Sequence, residues 1–155
     1  PWDTKRALFR RFLKALAACG VLTPCEGRAT PQYTGQVGVY LEKRWYRLDF
    51  KAECIPQQDP VRRLDVSVLS EQVLAPMLGI ADLRRDTRID FVGGIRGLGE
   101  LEKRVDSGEM AVAFAMYPTQ LGELMSVADA DEVMPPKSTW FEPKLADGLA
   151  SHVLD

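Results

Sequence analysis

The chain has 155 residues, 46% hydrophobic and 27% charged, the balance of a soluble globular protein that buries roughly 70% of its unfolded surface around one core. No apolar run approaches the roughly 18 residues of a membrane span, and Arg10, Arg11 and Lys14 interrupt the first helix in a way that no signal peptide would. The net charge of −2 conceals an asymmetry: residues 1–63 carry 12 Lys/Arg against 6 Asp/Glu, and residues 64–155 carry 8 against 16, so the halves are expected to attract each other across an interface.

Asp3 or Thr4 is placed to cap a helix in which Leu8, Phe9, Phe12, Leu13 and Leu16 recur at three- and four-residue spacing, with Gly20 to end it. Arg6, Arg10 and Lys14 form a stripe on another side. It reads as a solvated face, because no aromatic or amide side chains interleave with the charges, and nucleic acid is not expected as a partner. Residues 21–36, rich in Thr, Pro and Gly, read as a connection or an irregular edge. A β-hairpin follows, with strands 36–42 and 45–51 joined around Lys43-Arg44. Cys54 to Arg63 holds two prolines and two glutamines and is the best internal boundary, if the 155 residues are more than one unit. Cys19, Cys25 and Cys54 are an odd number without a C-x-x-C pair, which suits reduced thiols and a cytoplasmic setting.

Beyond the boundary the pattern alternates. Val66–Leu78 reads as a helix with Leu69, Val73 and Leu74 inward and Pro76 disturbing its last turn before Gly79. Thr87–Val92 reads as a strand, Leu98–Ser107 as a helix, Met110–Tyr117 as a strand and Thr119–Ala128 as a helix, with Ser138–Lys144 as a final extended segment joining the sheet. The unbroken apolar run from Met110 to Met116 predicts a central strand covered on both faces, and the alternation predicts at least one crossover. The expected fold is therefore α/β, with α+β as the alternative: an N-terminal helix and β-hairpin, then a strand-helix-strand-helix-strand unit around a mixed sheet.

Three candidate chemistries are weak. Gly93-Gly-Ile-Arg-Gly-Leu-Gly99 lies where backbone N–H groups can hold a phosphate, but Glu100 stands where a P-loop needs lysine, so it reads as a tight strand-to-helix turn. His152 is the single histidine, and the cysteines lack ligand spacing, so no metal centre is expected. Asp129, Asp131 and Glu132 read as a solvated acidic turn in place of a cation site. The stretch Met134-Pro-Pro-Lys-Ser-Thr-Trp-Phe-Glu-Pro-Lys144 is different: three prolines, two hydroxyls, two aromatics and two lysines lie within eleven residues. Lysine ammonium groups suit phosphate or carboxylate, hydroxyls donate to them, and prolines restrict the backbone that carries both. An edge strand whose lysines pair with Asp129, Asp131 or Glu132 explains the same composition.

That run, followed by Gly148-Leu149, resembles the C-terminal signature of the bacterial and archaeal domain-of-unknown-function 1015 proteins, and the segments Glu71–Ile80, Ile89-Asp-Phe91 and Ala113-Phe114 fall in the family's order over about residues 36–155. Family members are longer, and their preceding half carries an Ala-Asp-Gly-His-His-Arg motif similar to ParB-like and sulfiredoxin-like folds, some of whose relatives bind nucleotide phosphates. Nothing in this chain matches that motif. The resemblance, and the start at Pro1, imply a C-terminal portion whose partner is the missing N-terminal part of the parent protein. Lys137, Ser138, Thr139 and Lys144 would then offer an anion-binding wall to a shared cleft for a phosphorylated small molecule or nucleotide. Reaction and cofactor are left open, and a non-catalytic structural or interaction domain is the alternative.

Overall fold

The computed structural model describes residues 2–138. Helix α1 (Trp2–Cys19) runs straight into strand β1 (Gly20–Cys25), and a loop leads to β2 (Gln36–Leu41) and β3 (Arg44–Phe50). Asp3 and Thr4 lie inside the first turn of α1, not ahead of it. The hairpin turn is Glu42-Lys43, one residue earlier than expected, and both residues take positive φ (48° and 62°), as a two-residue turn matched to strand twist requires. Strand β4 (Ala113–Met116) completes a four-stranded sheet of order β1-β3-β2-β4 in which every pair is antiparallel.

The chain is thus a mixed helix-and-sheet fold, with several corrections. The sheet is antiparallel throughout, not mixed, and among the described residues it contains no parallel crossover. Residues 20–25 are a strand despite Thr23 and Pro24, because β1 is an edge and a proline there forfeits no ladder bond. Residues 87–92 pair with no strand; Asp86, Arg88 and Asp90 are engaged in side-chain contacts instead. The apolar run 110–117 supplies only the four residues of β4, at the opposite edge. The strand buried along its whole length is β2, whose alternating Val, Gly, Val, Tyr had given no such sign. Ser138 is not in a strand, and the remainder of the expected segment 138–144 lies outside the described residues.

One face of the sheet carries the larger apolar core. Val37, Val39, Leu48 and Phe50 pack with Leu16 and Cys19 of α1 and with Val68, Leu69, Val73 and Leu74 from beyond the 54–63 connection. The last four belong to a helix formed in three parts: α2 (Asp65–Leu69), a π-helical turn (70–74) and α3 (Ala75–Leu78). Its buried pairs recur at a spacing of five, which an α-helix would rotate by about 140°; a wider π-turn brings both pairs back to the sheet. Pro76 is accommodated at the start of α3. Its missing N–H leaves the Gln72 carbonyl without an i+4 donor, and the Cys19 thiol donates to that carbonyl at 3.7 Å. Gly79, at φ 67°, ends the helix with its N–H on the Ala75 carbonyl.

The other face is covered by α4 (Gly97–Asp106) and the loop before β2. Gly38 is required here: a Cβ at this position would lie 2.3 Å from the Ala29 carbonyl oxygen. Helix α5 (Leu121–Asp129) follows β4, opened by a capping box between Gln120 and Glu123.

Candidate functional site

The site begins with residues 134–138. Pro135-Pro136 limits the backbone, the Ser138 hydroxyl donates to the Pro135 carbonyl at 2.6 Å, and the Thr119 hydroxyl donates to the Ser138 carbonyl at 2.8 Å. These contacts hold Lys137 at φ 56°, a left-handed conformation that costs a side-chain-bearing residue about 1 kcal/mol or more. Its ammonium is exposed and stands 5.0 Å above the centre of the Phe91 ring. Among the described residues no carboxylate forms a salt bridge with it.

Phe91 comes two residues before the glycine turn, so the lysine touches the segment that leads into that turn. Gly94–Arg96 forms a 3-10 turn closed by the Arg96 N–H on the Gly93 carbonyl at 3.0 Å, and Gly97, at φ 71°, starts α4. Nothing lies within 4 Å of where a Cβ would stand on Gly94 or Gly97, so this side of the turn is open. The carboxylates of α4 that follow the turn, Glu100 and Glu102, are each paired with an arginine. Glu102 takes a two-pronged contact from Arg28 (2.9 and 3.0 Å) and the Trp45 indole N–H at 2.8 Å; Arg28, then Trp45, hold its carboxyl below the usual range. Glu100 accepts from Arg104, which also grips Asp90. The Arg104 guanidinium, with the Phe91 N–H behind it, keeps the Asp90 carboxyl below its ordinary range.

On its other side the proline pair walls a cleft of about 460 Å³, across from Ser67, Ser70 and Glu71 at the entry to the π-turn and from Arg84 on a neighbouring loop. The bidentate Arg62–Glu71 pair separates it from a second cleft of about 480 Å³ bounded by Gln58 and Glu132.

Of the four residues expected to bind an anion, Lys137 presents an exposed ammonium and the Ser138 hydroxyl donates within its own turn. Thr139 and Lys144 lie outside the described residues, as does His152. Sequence reasoning missed Phe91, Asp90 and Arg104. An aromatic 46 positions before the lysine gives no local signal, although Asp90 lies within the expected strand 87–92 and Arg104 within the expected helix 98–107. The network locking α4 was equally hidden, since Arg28, Trp45 and Glu102 sit far apart in the chain. Comparison with protein-family models, with curated proteins and with solved structures found no match.

Proposed function

We propose that this chain supplies an anion-binding wall to a site for a phosphorylated small molecule or nucleotide, as part of a phosphoryl-transfer or phosphate-ester activity in the cytoplasm. The observation that carries this reading is the Lys137 ammonium held over Phe91, two residues before the glycine turn. Lys137 neutralises the phosphate, N–H groups of the turn donate to it, and Ser138 keeps the lysine in place. Thr139 and Lys144 remain with this proposal as further donors, together with the resemblance to the domain-of-unknown-function 1015 proteins that this same stretch carries.

Calorimetric titration against pyrophosphate and nucleotides, with and without Mg²⁺, tests the reading. A charge-assisted contact contributes about 1.5–3 kcal/mol, so Lys137→Ala should weaken binding by roughly tenfold or more at unchanged melting temperature. Equal affinity in the variant, or no binding by the parent chain, removes the proposal. A non-catalytic structural domain is the second reading, favoured by the Ser138 hydroxyl closing its own turn. On that account Ser138→Ala lowers stability by about 1 kcal/mol while Lys137→Ala alters nothing measurable.

A further inference from the structure

Two exposed surfaces of this chain are complementary in both charge and apolarity. The first half of α1 extends beyond the sheet: its buried side chains are Leu16 and Cys19, both near its C-terminal end, whereas Leu8 is 58% exposed. Lys5, Arg6, Arg10, Arg11 and Lys14 are exposed on the same helix, and among the described residues none forms a salt bridge. The second surface is α5 and the turn after it. Leu121 (71%) and Met125 (56%) form an exposed i, i+4 stripe on α5, and Asp129 at its end, Asp131, Glu132 and Val133 (76%) after it are exposed as well.

Both helices carry charge of the sign their own dipole disfavours. Lys5 and Arg6 sit at the positive N-terminal end of α1; Asp129 ends α5, whose last turn holds no basic residue, at the negative end. Within one chain α1 packs chiefly on β1 and β3. Among the described residues its cations form no salt bridge, so this helix does not realise the attraction between the oppositely charged halves as ion pairs inside the molecule.

We infer that the chain associates with a second copy of itself, the N-terminal half of α1 from one copy lying on the α5 surface of the other. Cations of α1 face Asp129, Asp131 and Glu132, and Leu8 covers the Leu121–Met125 stripe. This inference is independent of the Lys137 site.

Sedimentation velocity of the full chain, freed of nucleic acid and run over a concentration series at low and high salt, provides the test. Self-association is expected to weaken as salt rises, since screening shortens from about 10 Å at 0.1 M to about 3 Å at 1 M. Arg10→Glu and Glu132→Arg should each weaken association at least tenfold, and the doubly reversed chain should recover most of it. Met125→Asp should abolish it, with the circular dichroism spectrum unchanged because the side chain is exposed. A monomer at every concentration and salt overturns the inference. So does association that survives all these variants, or binding of α1 to nucleic acid in place of self-association.

Discussion

The two faces of the sheet are held by different physics. On one, Val37, Val39, Leu48 and Phe50 meet apolar side chains of α1 and the α2–α3 helix, and stability comes from area removed from water, a force without direction. On the other, the Tyr40 and Trp45 rings pack 5.0 Å apart, tilted by 44°, and each reaches a carboxylate on α4. Tyr40 donates to Asp106 at 3.0 Å and Trp45 to Glu102. Burial pushes the Tyr40 phenol up, and Asp106 adds to the shift. Directed bonds fix where a helix sits along its own axis, whereas apolar packing tolerates small slides. Because α4 starts at the glycine turn, the polar face sets the position of the candidate site, and the apolar face sets whether the chain folds.

The largest effect should come from the apolar side. Leu48→Ala empties a fully buried position and should lower unfolding free energy by about 2–5 kcal/mol in denaturant titration, without selective loss of α4. Trp45→Phe keeps the ring but removes the indole donor from Glu102, at a cost of about 1–2 kcal/mol. Hydrogen exchange should then quicken in α4 ahead of α1; uniform quickening would erase the distinction between the faces.

A smaller effect, of opposite sign, is expected at Asp65, the first residue of α2. Its carboxylate accepts the Gly35 N–H at 2.8 Å, yet burial is the main influence and pushes its pKa up to about 6, with Glu123 adding to the rise. The folded chain then holds a proton that the unfolded chain releases near 3.8, so this group's favourable contribution is full below that pH and is lost as pH rises to about 6. Asp65→Asn keeps an acceptor for Gly35 and should raise stability at pH 7 by about 1–2 kcal/mol after allowance for solvent screening, with little gain at pH 3.5. A stability difference independent of pH would show that Asp65 titrates normally.

Sequence periodicity revealed elements whose signals are local. The three-and-four spacing of α1, the hairpin and the helices near α4 and α5 all stand close to their expected bounds, and the helix through Val66–Leu78 is present. Strand pairing is non-local, so β1 was hidden by its proline and threonine, while the uninterrupted apolarity of 110–117 suggested a central strand where an edge exists. The site was legible to the same extent. Composition singled out the 134–144 stretch and the glycine turn, but the contact of Lys137 with Phe91, in the segment leading into that turn, follows from no spacing rule.

The π-turn at 70–74 makes this part of the gene unusually tolerant of one change in reading length. Loss of a single codon there would return the helix to an ordinary pitch and shorten the spacing of the buried pairs from five residues to four, about 40° apart on an α-helix, so Val73 and Leu74 would still share the side of the sheet taken by Val68 and Leu69. Homologous sequences that keep this core should therefore show a one-residue gap at the turn more readily than elsewhere in the helix.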